Sequence, residues 1–210
     1  MENLRIILAS ASPRRHELLD LAGIKHEIVV PRADETSVKY IPGRPREYVM
    51  ELSAIKSRAV SDQLNKAGLP KIGRTVIISA DTIVYCPDTD LPLGKPKGRE
   101  DAFRMLTLLS GSTHQVITGV TLCEPGKGQT DTFFATTLVT FRVLDDEEIT
   151  EYINTGEPMD KAGSYGIQGR ACSFAERIEG DYYNIVGLPL SEIVPRLKRY
   201  RDASTLIKGK

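Results

Sequence analysis

The sequence predicts an α/β fold in which a mixed central β-sheet is flanked by helices. Three observations carry that expectation. Residues 75–85 (Thr-Val-Ile-Ile-Ser-Ala-Asp-Thr-Ile-Val-Tyr) are β-branched almost throughout, the composition of a buried strand. Strand-like and helix-like segments intermingle along the chain instead of falling into separate blocks. Two strand-like segments, 115–123 and 132–143, are joined by Pro125-Gly126-Lys127-Gly128, so a hairpin interrupts the alternation and argues against an all-parallel sheet.

In chain order, residues 4–9 (Leu-Arg-Ile-Ile-Leu-Ala) read as a buried strand. A helix follows: Ser12 suits the N-cap, Pro13 the first helical position, and Glu17 sits near the positive helix end. Leu18, Leu19 and Ala22 supply its apolar face and Gly23 ends it. Residues 27–30 form a short strand, followed by a polar loop with Asp34 and Glu35. A long helix spans 45–66, its buried stripe marked by Tyr48, Leu52, Ile55 and Ala59. At about 100° per residue, Lys56 falls about 40° from Leu52 and so within that stripe. An ammonium there either snorkels to water or meets an anion.

Asp81 interrupts the apolar run of 75–85. Aspartate is a poor strand former and a buried carboxylate needs a partner, so a functional reading is preferred. A loop at 93–97 leads to a helix over 99–109, with Ala102, Met105, Leu106 and Leu109 inward and Ser110-Gly111 as its stop. Asp145 caps a helix that runs to 154. Residues 173–178 read as a strand and 189–200 as a closing helix. No internal repeat or linker divides the chain, so a single domain over 1–210 is expected.

Composition narrows the classes of function. The chain has 210 residues, 40% of them hydrophobic, and 28 basic residues balance 28 acidic ones. No basic excess offers itself to a nucleic-acid backbone, so an anionic partner must be met by a local cluster, which favours a small polyanion. No apolar run approaches the roughly 20 residues that cross a bilayer, and no signal-peptide cleavage pattern follows the start. Neither membrane nor nucleic-acid binding is expected, and the chain reads as cytoplasmic. Cys86, Cys123 and Cys172 are odd in number and widely spaced, and suggest neither disulfides nor a zinc cluster. His16, His26 and His114 read as surface or packing residues.

The segment 156–169 (Gly-Glu-Pro-Met-Asp-Lys-Ala-Gly-Ser-Tyr-Gly-Ile-Gln-Gly) interleaves turn-forming residues with two carboxylates, an ammonium and an amide. That is the make-up of a binding loop. Residues elsewhere complement it, giving Ser10, Ser12, Arg14, Arg15, Glu35, Lys56, Asp81, Lys95, Glu157, Asp160, Lys161 and Gln168. Cations and helix N-terminal N–H groups hold phosphate oxygens, while carboxylates hold a hard metal or activate water. A nucleoside triphosphate with magnesium needs both kinds. Ser10-Ala11-Ser12-Pro13-Arg14-Arg15 suits a phosphate cradle. No Walker-type loop is present, and Gly163, Gly166 and Gly169 lack the dinucleotide spacing. Nothing suggests a covalent nucleophile.

These strings resemble the Maf family of nucleotide pyrophosphatases, related in fold to inosine triphosphate pyrophosphatases. The resemblance rests on Leu-Ala-Ser-Ala-Ser-Pro-Arg-Arg at 8–15, Ser-Ala-Asp-Thr at 79–82, Gly-Lys-Pro at 94–96, Glu-Pro-Met-Asp-Lys-Ala-Gly at 157–163 and Tyr-Asn-Ile-Val-Gly-Leu-Pro at 183–189. It implies two lobes around a cleft and hydrolysis between the α and β phosphorus atoms, with a divalent cation, Mg2+ or Mn2+. It implies that Asp81 is the proton acceptor, with metal ligation as an alternative role, and that Glu35 is the acidic loop position at the metal. It places Arg15, Lys56 and Lys95 on phosphates. Arg14, Thr82 and Gln168 match the branch acting on dTTP and UTP; the 7-methyl-GTP branch carries an aromatic residue, glutamine and glutamate there. A glutamine amide offers donor and acceptor to the edge of uracil or thymine. A homodimer is the default for the family. A rival reading is a nucleotide-responsive binding protein that regulates cell division without turnover.

Overall fold

The computed structural model describes residues 4–68, 74–127 and 129–206. Its centre is a seven-stranded mixed sheet in the order β2-β1-β3-β5-β6-β7, with β4 beside β3. Strands β1 (Arg5–Ala9) and β2 (Glu27–Ile28) are parallel to each other, and β1 is parallel to β3 (Thr75–Cys86). The long strands β5 (Thr113–Glu124) and β6 (Gln129–Phe141) form the expected hairpin, antiparallel to β3 on one side and to β7 (Ala175–Glu179) on the other. The helices are α1 (Pro13–Leu21), α2 (Pro45–Ala67), α3 (Arg99–Leu109), α4 (Asp146–Asn154), α5 (Tyr182–Val186) and α6 (Leu190–Leu206). No helix among the described residues is long and apolar enough to cross a membrane.

Strand alternation divides the core. Val76, Ile78, Ala80 and Val84 of β3 join the large cluster with α1, α3, α4 and α6, while Ile77, Ile83 and Tyr85 face the other way, toward α2. On that second face α2 buries Val49, Leu52, Ser53, Lys56, Ser57 and Val60. The buried stripe is therefore turned relative to the one read from hydropathy: Tyr48, Ile55 and Ala59 flank it and Lys56 lies in its middle. Polar partners account for the difference. Ser53 Oγ lies 2.8 Å from Thr121 Oγ1, and Ser79 Oγ donates to Ser53 O at 2.8 Å.

Other details also depart from the sequence reading. Ser12 occupies the N-cap of α1 without a side-chain cap bond; its own N–H donates to Ser10 Oγ at 3.1 Å. Ala22 is exposed. Strand β4 (Leu91–Leu93) and helix α5, capped by Asp181, were not read from the sequence. Residues Arg170–Ser173 form a 3-10 turn, so β7 starts later than 173, and α6 continues past Tyr200 with Pro195 inside it.

Two features of β3 position the site. On one edge, β1 pairs with it only as far as Ala9 opposite Ser79, and β4 begins only at Val84 opposite Leu93. Residues 80–83 thus have an open edge just beyond the carboxyl end of β1, the kind of crevice where α/β sheets bind ligands. On the other edge, Asp81 pairs with Gly119 of β5. A Cβ on Gly119 would lie 2.3 Å from the backbone oxygen of Val49, so α2 rests directly on the strand at this point. That approach lets a lysine about two turns further along α2 reach Asp81. Gly119→Ala is expected to lower stability by about 1–3 kcal/mol, because rigid backbone must move on both sides. Urea denaturation measures it, and a cost below a few tenths of a kcal/mol would show the contact to be soft.

Candidate active site

The open stretch of β3 lies in a cleft of about 960 Å³. Every residue singled out from the sequence lines it: Ser10, Ser12, Arg14, Arg15, Glu35, Lys56, Asp81, Thr82, Lys95, Glu157, Asp160, Lys161 and Gln168. Asp81 and Thr82 leave β3 on opposite faces yet share this space, since no strand covers the edge between them.

At the centre, Lys56 Nζ lies 2.5 Å from Asp81 Oδ1 and 3.1 Å from Glu35 Oε2. The Lys56 and Asp81 side chains are 10% and 15% exposed, so the pair is largely dehydrated, while Glu35 is half exposed. Two carboxylates from different segments thus converge on one positive charge. Tyr48 borders the same group, and burial, then the charges of Asp81 and Glu35, push its phenol pKa upward. The donor chemistry fits a hard divalent cation: two carboxylates reach one point, at the edge of a cleft that leaves room for water and phosphate oxygens. Glu35 comes from a short turn led by Asp34, whose carboxylate accepts from Thr36 N at 3.1 Å. Asp34 is occupied in building the loop and Glu35 is the residue it presents.

Arg15 is committed differently. Nε donates to Gly187 O at 3.0 Å, Nη1 to Ala80 O at 2.7 Å and to Ser10 Oγ at 3.4 Å, and Nη2 to Thr82 Oγ1 at 3.1 Å. Of five guanidinium N–H groups, about one remains for a ligand. Ala80 O belongs to the uncovered edge of β3, so Arg15 does there what a neighbouring strand would do. Burial lowers its pKa, opposed by the charge of Asp81. Thr82 is held on its other side by Thr118 Oγ1 at 2.9 Å, which donates to Asn184 O at 3.1 Å.

The opposite wall is the Gly-rich loop, which makes two short 3-10 turns, Glu157–Asp160 and Ala162–Ser164. Lys161 Nζ donates to Glu157 O and to Asp160 Oδ1, both at 2.7 Å, and Arg14 Nη1 reaches Asp160 Oδ2 at 3.2 Å. Burial raises the Asp160 pKa, but Lys161 and Arg14 more than offset it and the net shift is downward. Glu157 turns away from the open cleft. Its Oε1 accepts from Tyr152 Oη at 3.0 Å and its Oε2 from Arg170 N at 3.1 Å, and Tyr152 Oη accepts from Gly166 N at 3.1 Å. Its carboxylate would lie 1.9 Å from a Cβ at position 169, so a side chain there would displace Glu157. Among the described residues Gln168, between these anchors, is exposed with no side-chain hydrogen bond, and Lys95, which also lines the cleft, is exposed with no ion pair. Tyr165 fastens the loop below, its hydroxyl 2.9 Å from Nε2 of the fully buried His114. His114 lies at the start of β5, and no motif around it in the sequence reveals the contact.

An α/β sheet with a dehydrated lysine–aspartate pair in a cation-rich cleft at the strand ends belongs to the class of small-polyanion sites. A family model described as "Maf-like protein" matches residues 5–200, and the chain belongs to that family. It is similar to the "dTTP/UTP pyrophosphatase" of Bacillus cereus (strain ATCC 10987 / NRS 248), at 46% identity over 95% of this chain and 92% of the relative. The protein of that name from Bacillus cytotoxicus is 46% identical over 96% of this chain and 98% of its own length. That from Bacillus anthracis is 45% identical over 93% and 95%.

The His114–Tyr165 anchor has a pH signature. Burial lowers the His114 pKa to about 3, so between that value and the ordinary histidine value of about 6.5 the unfolded chain binds the extra proton. The stability supplied by neutral His114 is complete above about pH 6.5 and is lost as pH falls, with a slope approaching 1.4 kcal/mol per pH unit. His114→Gln is expected to flatten this slope in urea midpoints measured from about pH 7.5 down to about pH 5; an unchanged slope would assign the acid sensitivity to other groups.

Proposed function

We propose that this chain is a nucleoside triphosphate pyrophosphatase that hydrolyses dTTP and UTP to the monophosphate and pyrophosphate. The observation that carries the reading is the Asp81 carboxylate, facing Lys56 at 2.5 Å inside a cleft also lined by Arg14, Lys95 and Lys161. The names borne by relatives that align along nearly the whole chain support the same activity.

In the proposed mechanism Asp81 orients a water molecule and takes its proton as the α–β phosphoanhydride bond breaks. The water oxygen is retained in one product, and the bond's electron pair leaves with the other. Lys56, drawn between Asp81 and Glu35, moves little to meet phosphate oxygens and stabilises charge that grows in the transition state. Lys95 and Lys161 extend that positive lining toward the leaving pyrophosphate. Glu35 and Asp81 are the residues that would hold Mg2+ or Mn2+, which when bound supplies charge neutralisation and acidifies water. Ser10, Ser12 and the first N–H groups of α1 cradle phosphate. Arg15 acts from behind, fixing Ala80, Thr82 and Gly187, with one N–H left for a phosphate oxygen.

For base selection, Gln168 presents an unpaired amide from a loop whose backbone is held by Glu157, Tyr152 and Tyr165. Its donor and acceptor complement the N3–H and carbonyl edge of uracil or thymine. Arg14 and Thr82 line the same cleft. One active unit, a soluble cytoplasmic enzyme working as a homodimer, completes the reading.

Asp81→Asn is expected to reduce kcat by about 10²–10⁴-fold while nucleotide binding is largely kept, since shape is preserved and the base removed. Pyrophosphate release from dTTP with Mg2+ measures it. Binding of dTTP without any release by the native chain would instead favour a nucleotide-responsive binding protein.

Gln168→Glu is expected to lower kcat/KM for dTTP and UTP by about 10–100-fold, because an acceptor meets the N3–H side but none of the donors needed by the carbonyl. Equal values for the two proteins across a panel of canonical and modified triphosphates would remove Gln168 from base recognition.

A further inference from the structure

Outside the cleft, α1 and the turn that follows it bring together a second set of ligand-type side chains. His16 and Asp20 lie four residues apart on α1 and so share a face of the helix. The chain then reverses at Gly23, whose φ of 66° is left-handed, and returns His26 to the same place. One ligand atom from each of the three residues lies within 4.8 Å of the others. None of the three lines the cleft.

We propose that His16, Asp20 and His26 bind a borderline transition-metal dication of the zinc, cobalt or nickel type. His26 carries the proposal. Its side chain is 1% exposed, and its Nδ1 lies 2.8 Å from Ile24 O. A carbonyl only accepts, so Nδ1 bears the hydrogen and Nε2 is left with a bare lone pair. Metal-ligating histidines are held in this way, with the far ring nitrogen donating to a backbone carbonyl that fixes tautomer and ring plane.

The lone pair of His26 Nε2 points at His16 Nδ1, 2.7 Å away. Without metal, one proton on His16 Nδ1 bridges the two rings; a dication takes that place, and the hydrogen moves to Nε2 of the same ring, which stays neutral. Two nitrogens at about 2.0–2.1 Å from a tetrahedral ion stand roughly 3.3 Å apart, so the rings must separate by about 0.6 Å. His16 can give that distance, its side chain being 44% exposed. Asp20 completes the set, one of its carboxylate oxygens lying within 4.8 Å of a ring nitrogen of each histidine. The exposed side of the cluster leaves a fourth position to water.

Two imidazoles and one carboxylate favour zinc, cobalt or nickel over magnesium, whereas Glu35 and Asp81 offer oxygen alone. The two places are thereby separated by ligand softness. Metal at the histidine pair ties the end of α1 to the loop before β2, steadying the helix whose first turn presents Arg14 and Arg15.

The test uses the full chain stripped of metal and titrated with Co2+ and, separately, Zn2+. Visible d–d absorption of nitrogen-ligated Co2+ is expected in the native chain and in Asp81→Asn, and its loss in His16→Gln and His26→Ala. Zn2+ is expected to raise Tm by several degrees in the native chain, with no such rise in His16→Gln or on adding Mg2+. His16→Gln alters a half-exposed residue, so the test does not depend on whether the His26 variant folds. Absence of the Co2+ band from the native chain, its survival in His16→Gln, or its loss in Asp81→Asn would overturn the proposal.

Discussion

The contact between the Lys56 ammonium and the Asp81 carboxylate sets the geometry of everything around it. Both groups are mostly withdrawn from water, and removing two charges from water costs several kcal/mol per ion, which their attraction only partly returns. A pair of hydrophobic residues would hold α2 against the sheet at least as well. The pair is also conditional on a close approach, because a lysine side chain in mid-helix reaches mid-strand only if the backbones nearly touch. Gly119 permits that contact by lacking a Cβ. Ser53 and Ser79 reinforce it, filling the interface with small side chains whose hydroxyls find partners. A helix face that carries two serines and a lysine rests directly on the strand, and the site depends on this seating.

A second constraint is the interruption on the edge of β3. An uncovered strand edge inside a fold leaves backbone carbonyls needing donors, and buried carbonyls without them are costly. Arg15 supplies the donor to Ala80 O and simultaneously ties Gly187 and Thr82, so one side chain replaces a missing length of strand. A guanidinium suits this role because its planar fork reaches several oxygens at fixed angles; a lysine would satisfy one of them. The edge can then stay open to a ligand without the sheet fraying, and residues from both faces of β3 enter one cleft.

Much of this was legible in the sequence, and the part that was not has a common cause. Asp81 could be found because a carboxylate inside a β-branched run contradicts local propensity, and such contradictions collect at functional sites. The hairpin, α3, α4 and the irregular, turn-rich course of 156–169 followed from periodicity and turn chemistry. The phase of α2 did not, because Ser53 is buried by tertiary hydrogen bonding and Ser57 by close packing, which hydropathy cannot register. Gly119 looked like any glycine in a strand. Arg15 and Glu157 were grouped with ligand-facing residues by charge, whereas their hydrogen bonds run mainly to the protein backbone and neighbouring side chains. Charge shows that a residue takes part in a site; only partners show on which side it works.

That distinction bears on how one scaffold could serve different bases. On the proposed reading, the phosphate side is built from β3, α2 and the first turn of α1, rigid elements whose charges are tied to one another. The base side is a loop, and an amide discriminates between bases only if its carbonyl and NH2 point in a fixed sense. Among the described residues Gln168 has no side-chain partner to orient it, so orientation comes from the backbone: Glu157 holds Arg170 N, Tyr152 holds Gly166 N, and glycine at 169 lets the Glu157 carboxylate pack beneath. With the frame supplied by neighbours, the residue at 168 is free to vary. A change of base preference then needs a new side chain at that position and not a new loop, while the phosphate chemistry at Asp81 and Lys56 is left untouched.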